Sequence, residues 1–232
     1  ERRSRRPRAG SARRGAQPGR LAARGDQPRP DLEQTVSGIA PAGVDVAEPR
    51  GLNSTAANRR PQELDLQVLA RQLGRPVRDV VEIPARCACG NPLVAATAPR
   101  LSGGTPFPTV YYLAHPVITA AVSRLEAEGA MYGMTDRLGE DEQLAASYQR
   151  SHEDYLARRE RIGAIAGSGE VPEIDGISAG GMPTRVKCLH VLVGHSLSAG
   201  PGVNLLGDET LELIADTWSP QICRCDPAWR ES

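Results

Sequence analysis

The first sixty residues have no apolar periodicity and are dense in Arg, Pro, Gly and Ala. Such a segment cannot bury enough apolar surface to offset the entropy lost when a chain becomes ordered. We therefore predict a disordered basic arm over residues 1–60. The remainder has the size of one ordinary domain, and we expect a single α+β domain over residues 61–228.

The formal net charge of zero conceals a division between these two parts of the chain. Residues 1–29 hold ten Arg against Glu1 and Asp26, which gives them a charge of +8 and leaves −8 on the rest. Basic segments of this kind contact nucleic acid, polyphosphate or an anionic surface. We expect an acidic partner for residues 2–29, and a solvated arm without a partner is the alternative.

The distribution of apolar residues also bears on location. A run of 18 apolar residues is absent, so the sequence predicts no transmembrane helix. The basic start is not followed by an apolar segment, which argues against a secretory signal. We expect a cytoplasmic protein, in which the five Cys are free thiols, metal ligands or catalytic groups rather than a disulfide framework.

Apolar patterning predicts a small, mainly antiparallel sheet covered on one face by about four or five helices, an α+β architecture. The third strand is apolar enough to be the central one. Three Arg near the end of the longest helix, residues 158, 159 and 161, are expected to form a solvated face, and Asp208 to cap the last helix. The predicted strands are 80–83, 93–97 and 109–113, and the predicted helices are 61–74, 116–128, 140–162, 183–198 and 208–218.

Several short motifs carry a family resemblance: Ile-Pro-Ala-Arg-Cys at 83–87, Thr-Pro-Phe-Pro-Thr at 105–109, Ser-Arg-Leu-Glu-Ala at 123–127 and Val-Lys-Cys-Leu-His at 186–190. They resemble the domain of unknown function 501 family over residues 62–225. The resemblance implies a bacterial protein of a kind common in actinobacteria. It also implies gene neighbours that encode a septum-formation protein and an exopolyphosphatase, but no activity.

Lys187 is the only lysine among 28 basic side chains. It follows a glycine-rich segment and lies in the first turn of the predicted 183–198 helix, where backbone N–H groups and cations suit a phosphate or carboxylate. A mobile linker before a Pro-started helix is the alternative. We predict a site for a small anionic, phosphorylated ligand formed by Gly180, Gly181, Thr184, Arg185 and Lys187.

The Cys and His residues suggest a metal site, with Zn²⁺ as the candidate ion. Two Cys-x-Cys pairs, at 87–89 and 223–225, could close a four-sulfur site, although the second pair lies near the C-terminus. Helical geometry places Cys188 and His190 on opposite faces, so it excludes a site made by that helix alone. Buried thiols without a metal are the alternative. The predicted ligands are Cys87, Cys89, His115, Cys188 and His190.

A catalytic centre is the competing interpretation of the same region. Cys188 near a helix N-terminus and beside basic residues has an environment that favours a thiolate, and His195 or His115 could act as its base. The candidate catalytic residues are Lys187, Cys188 and His195, which would serve a hydrolase of a phosphate-containing substrate. A non-catalytic adaptor in cell division or envelope processes is a third hypothesis.

Overall fold

The computed structural model describes residues 58–230, so the predicted arm lies, except for its last residues, outside the described residues. Its helices are α1 (Glu63–Leu73), α2 (Pro116–Ala127), α3 (Ala130–Glu140), α4 (Glu142–Ala166), α5 (Leu189–Ala199) and α6 (Leu205–Leu213). Its strands are β1 (Val80–Arg86), β2 (Pro92–Thr97) and β3 (Tyr111–Leu113), and single 3-10 turns occur at Pro172–Ile174 and Pro227–Arg230. The predicted α+β class is confirmed.

The three strands form one antiparallel sheet in the order β1–β2–β3. The prediction of a central third strand was wrong, because β2 pairs on both edges and all its residues are buried. The pairing of β1 with β2 contains register irregularities, which lie between Val80 and Arg86. The hairpin loop between β1 and β2 contains Cys87 and Cys89.

Both faces of the sheet are covered, whereas only one was expected to be. Alternate residues of β2 point to opposite faces, as the period of a strand requires. Val94 and Ala96 join the large core formed with α2, α4 and α5, while Ala95 joins a smaller cluster. That second cluster includes Leu69 of α1, so α1 packs on the other face of the sheet.

The central helix is α5, in which nine residues are buried. It packs against β3 on one side and α6 on another. The helix begins at Leu189 rather than after Pro183, since residues 181–188 form turns and extended chain. The last helix is capped by Asn204, whose side chain accepts a hydrogen bond from the Gly207 N–H at 2.9 Å, and not by Asp208 as expected.

Helix α4 differs from prediction in its basic residues. The three Arg expected to be a solvated face are instead held by specific partners. Arg159 is buried and donates to the carbonyl oxygens of Ile174 and Ile177, and Arg161 donates to both carboxylate oxygens of Glu82 at 2.8–2.9 Å. Across residues 58–230, no helix combines the length and apolar character needed to span a membrane.

Candidate metal-binding sites

Four cysteines from two distant segments meet at one end of the sheet. Cys87 and Cys89 lie on the turn between β1 and β2, and Cys223 and Cys225 lie on the segment that follows α6. The four sulfur atoms are within 4.8 Å of one another. Tetrahedral Zn²⁺ with bonds of about 2.3 Å to sulfur separates its thiolates by about 3.8 Å, so a small contraction would close this site.

The turn that carries Cys87 is shaped by its own backbone. The Gly90 N–H donates to the Cys87 carbonyl at 2.7 Å, and the Cys87 N–H donates to the Asn91 carbonyl at 2.9 Å. Gly90 has a φ of 89°, a left-handed conformation that glycine adopts without strain. Arg86 also donates to the Gly90 carbonyl at 3.0 Å. These bonds fix the direction in which the first cysteine pair points.

The second cysteine pair is positioned by contacts of the C-terminal segment with the rest of the domain. Arg71 of α1 donates to the carbonyl oxygens of Ala228 and Trp229, both at 2.9 Å. Arg230 donates to the side chain of Asn91, which lies just after the first cysteine pair. Cys223 and Cys225 lie near the C-terminus, which argued against them in the sequence, but the residues that follow them are anchored to α1 and to Asn91.

The cluster has unequal thiol environments. Burial raises the pKa of Cys87 to about 11 and also raises the pKa of Cys225. The backbone N–H of Cys225 is the main cause of a lowered pKa at Cys223. The backbone of Cys89 makes the corresponding hydrogen bond to the Cys87 thiol. In both pairs, an N–H of the second cysteine thus supports negative charge on the first, as the outer hydrogen bonds of thiolate ligands do.

His115, predicted as a ligand, lies beside this cluster. Its Nε2 is 3.4 Å from the Cys225 sulfur, and its ring meets the edge of Trp229 with centroids 5.5 Å apart. His115 is fully buried, and burial lowers its pKa to about 4. A neutral imidazole therefore faces the sulfur at neutral pH.

A second cluster contains Glu126 of α2 together with Cys188 and His190 at the start of α5. His190 Nδ1 is 3.1 Å from Glu126 Oε1 and 4.0 Å from the Cys188 sulfur. Cys188 is the N-cap of α5, with φ −155° and ψ 111°. The expectation that Cys188 and His190 face opposite ways was wrong, because Cys188 is extended and the helical angle between the two residues does not apply.

The other nitrogen of His190 is held by α2. Its Nε2 is 3.2 Å from the Thr119 carbonyl and 3.3 Å from the Ser123 hydroxyl. The hydrogen bond with Cys188 raises the pKa of His190, and the negative charge of Glu126 raises it further. These effects outweigh burial, which lowers it, so the pKa is about 9. Glu126 Oε1 also accepts the Leu189 N–H at 2.7 Å, so a carboxylate of the protein contacts the N-terminus of α5.

The residues of the predicted anion site lie on the loop before α5. Thr184, Arg185 and Lys187 are exposed. The loop closes on itself, since the N–H of Arg185 donates to Gly181 and that of Lys187 donates to Gly180. Gly181 has a φ of 92°, and a Cβ there would lie 3.0 Å from the Lys187 nitrogen. The turn therefore explains the glycine at position 181 without a ligand. Anion binding by this loop stays a prediction.

His195, a predicted catalytic residue, is fully buried away from either cluster of ligands. Its Nε2 is 2.8 Å from Asp154, and its Nδ1 is 3.2 Å from the amide nitrogen of Asn204. Because the amide nitrogen is a donor, Nδ1 accepts and Nε2 carries the proton. Tyr111 stacks on the ring, and Tyr155 meets it edge-on. The catalytic role of His195 stays a prediction.

The predicted metal ligands are thus divided between two places. Cys87 and Cys89 are in the four-cysteine cluster with His115 beside it, whereas Cys188 and His190 are in the second cluster. Glu126 was missed, because one acidic residue on an amphipathic helix carries no signal in the sequence. The Cys-x-Cys spacing was the available signal for Cys223 and Cys225.

The fold and these clusters define a small α+β protein with a group of cysteines that could hold a metal ion. Residues 83–212, more than half of the chain, match the family described as protein of unknown function (DUF501), and the chain belongs to this family. The matched segment includes Cys87, Cys89 and the whole second cluster, and ends before Cys223. Neither the comparison with curated proteins nor that with solved structures gave a match.

Proposed function

We propose that this protein binds Zn²⁺ through Cys87, Cys89, Cys223 and Cys225. The observation that supports the proposal is the meeting of four sulfur atoms within 4.8 Å, from two segments far apart in the chain. A four-sulfur set is typical of structural Zn²⁺ or of iron–sulfur centres. Two cysteine pairs on separate segments suit a closed structural site, since all four tetrahedral positions are taken by the protein.

The role of the ion would be to join the C-terminal segment to the sheet. Apart from the cysteines, that segment is held by the donations from Arg71 and by the Arg230–Asn91 contact. Both arginines are largely exposed in their contacts with it, so these bonds are individually weak. In zinc-finger peptides, the binding of a structural Zn²⁺ contributes about 10–16 kcal/mol to folding, far more than such bonds.

His115 is assigned a supporting role in this proposal. Its Nε2 lies 3.4 Å from the Cys225 sulfur, within hydrogen-bonding reach, and in the proposed site the four thiolates already fill the tetrahedral positions of the ion. An N–H from His115 would stabilise the Cys225 thiolate from outside the coordination sphere. We also place this protein in the cytoplasm, where thiols stay reduced and available to metal.

Metal analysis of the purified full chain tests the proposal. We expect Cys223→Ser to lose one equivalent of Zn²⁺ relative to the wild type, and Arg224→Ala to lose none. Arg224 is the matched control, because it lies between the two cysteines and is exposed. Equal zinc content in these two variants would reject the site, and iron in place of zinc would reject the identity of the ion.

Tryptophan fluorescence gives a second readout. Trp229 contacts His115 beside the cluster, whereas Trp218 is 2% exposed in the main core. Addition of a chelator should change the emission of the wild type and leave that of Trp229→Phe nearly constant. A chelator response that persists in Trp229→Phe would mean that the core, rather than the C-terminal segment, senses the ion.

Binding of a phosphorylated ligand beside Lys187, hydrolysis of a phosphate-containing substrate and an adaptor role remain alternative functions. The exposed side chains of Arg185 and Lys187 are compatible with an anionic ligand. Titration with inorganic phosphate, comparing the wild type with Lys187→Ala, addresses the first of these. Equal phosphate affinities in the two proteins would show that Lys187 does not contribute to phosphate binding.

A further inference from the structure

We infer that Glu126, Cys188 and His190 form a second site for a divalent transition metal, with one coordination position left for water or another small ligand. The inference goes beyond the proposed four-cysteine site and does not depend on it. The three side chains each offer one ligand atom, and these atoms lie within 4.8 Å of one another.

The ligand set has the chemistry of a transition-metal site. It combines a thiol, an imidazole and a carboxylate, all of which bind Zn²⁺ in proteins. Tetrahedral coordination separates such ligands by about 3.3–3.8 Å. His190 Nδ1 is already 3.1 Å from Glu126 and 4.0 Å from the Cys188 sulfur, so shifts of less than about 1 Å would give coordination distances.

The orientation of His190 provides an independent observation. Its Nε2 faces the Thr119 carbonyl, which only accepts hydrogen bonds, so this nitrogen carries a proton. Nδ1 is the nitrogen that faces the thiol and the carboxylate, so a metal ion would take the place of the proton on Nδ1 while Nε2 keeps its own. Metal-binding histidines are commonly fixed in this way, by a backbone carbonyl on the opposite nitrogen.

The carboxylate is oriented in the same manner. Glu126 Oε1 accepts the Leu189 N–H at 2.7 Å, which holds the carboxylate beside the first turn of α5. A helix-capping role alone would account for Glu126. It would not account for the approach of His190 Nδ1 to the same oxygen at 3.1 Å, or of the Cys188 sulfur to that nitrogen at 4.0 Å.

The site differs from the four-cysteine cluster in having three protein ligands. The side chains of His190 and Glu126 are 25% and 23% exposed, and Cys188 is half-buried. A fourth position can therefore be reached from solvent. Three protein ligands and one exchangeable position are typical of zinc sites that bind water or substrate, whereas four protein ligands are typical of structural sites.

Counting bound metal in the full chain separates the two sites. We expect two equivalents of Zn²⁺ in the wild type, one in Cys188→Ser, and one in Cys223→Ser. Lys187→Ala is the matched control, since Lys187 is exposed, adjoins Cys188 and is outside the ligand set, and it should retain two. Equal metal content in Cys188→Ser and Lys187→Ala would overturn the inference, whatever the result for Cys223→Ser.

Glu126→Gln keeps the test decisive if Cys188→Ser fails to fold. The glutamine oxygen can still accept the Leu189 N–H, so α5 remains capped while the anionic ligand is removed. We expect the affinity of the second site to fall by at least about ten-fold, measured by competition with a chelating dye. An unchanged affinity would overturn the assignment of Glu126 as a ligand.

Substitution with Co²⁺ examines the exchangeable position. Addition of thiocyanate should shift the Co²⁺ absorption bands of the wild type and of Cys223→Ser, in which the second site is intact. The same addition should leave the Co²⁺ bands of Cys188→Ser unchanged. A second site whose spectrum did not respond to thiocyanate would be closed, which would overturn the inferred open position.

Discussion

Asp65 and Arg86 form a two-pronged ion pair between α1 and β1, with Arg86 Nη1 2.6 Å from Asp65 Oδ1 and Nη2 2.8 Å from Oδ2. The two side chains are 8% and 11% exposed. Asp65 also accepts the Gln62 N–H in the capping box of α1, and Arg86 also donates to the Gly90 carbonyl of the cysteine turn. One pair thus connects the helix start, the sheet and the four-cysteine cluster.

We predict that Asp65→Asn lowers the free energy of unfolding by about 3 kcal/mol, because the Arg86 guanidinium would remain buried without its counter-charge. Denaturant unfolding in the presence of chelator measures this effect apart from metal binding. Glu209→Gln is the control, since its pair with Arg137 is exposed and should contribute less than about 1 kcal/mol. A similar loss in both variants would contradict the special role of the buried pair.

Arg86 should also affect the metal. We predict that Arg86→Gln weakens Zn²⁺ binding at the four-cysteine cluster, because the Gly90 carbonyl loses the donor that helps to fix the turn carrying Cys87. Loss of such an outer hydrogen bond costs about 10–100-fold in metal affinity. The measurement is competition with a chelator of known affinity. An affinity equal to that of the wild type would show that the turn needs only its own backbone bonds.

The pair formed by buried His195 and partly exposed Asp154 predicts a loss of stability in acid. Burial lowers the pKa of His195 despite its hydrogen bond to Asp154. Since the unfolded state takes up the proton first, stability should fall as the pH drops below about 6.5, the ordinary value for histidine. Hydrogen bonds from His195 and Arg158 outweigh burial and lower the pKa of Asp154, so its contribution is lost at still lower pH, below about 4.

Unfolding curves at several pH values, measured in chelator, check this expectation. Between pH 7 and 5, His195→Gln should reduce the slope of the unfolding free energy plotted against pH. The reduction should be up to about 1.4 kcal/mol per pH unit, the value for one proton. Part of the slope should persist, because burial also lowers the pKa of His115, to about 4. An unchanged slope in His195→Gln would contradict the buried neutral state of this residue.

Gly207 sets the distance between α5 and α6. A Cβ at this position would lie 2.8 Å from the carbonyl carbon of Leu192 and 2.9 Å from Ser196 Cβ. We predict that Gly207→Ala lowers the free energy of unfolding by about 2–3 kcal/mol, since the helices must separate. Gly133→Ala is the control, because Gly133 is exposed in α3 with no atom within 4 Å and should gain about 0.5–1 kcal/mol. Thermal unfolding compares the two variants.

Patterns that depend on neighbouring residues were predicted well. The stripe of α1 and its stop at Gly74 follow from helical spacing and the left-handed conformation that glycine adopts there. The hairpin of β1 and β2 follows from two apolar runs and a turn. Helix α3 was missed, because it buries only Met134 and contains Gly133 and Gly139, which weaken its helical signal.

Predictions that depended on a helix boundary or on distant partners failed. Moving the start of α5 from Pro183 to Leu189 changes Cys188 from a helical residue into an extended N-cap, and so brings its sulfur towards His190. Arg159 was expected in solvent because charged residues usually lie there, but the carbonyl oxygens of Ile174 and Ile177 satisfy it in the interior.

The sequence alone determined the α+β class, most of the helices and strands, and the family, because these depend on periodicity and on contiguous motifs. It also presented the two Cys-x-Cys pairs as candidates for one site. Only the tertiary structure decided which ligands meet. Cys223 reaches Cys87, and Glu126 reaches His190, through packing between segments far apart in the chain. Local sequence patterns do not predict such long-range contacts, because the packing energies that produce them are spread over the whole core.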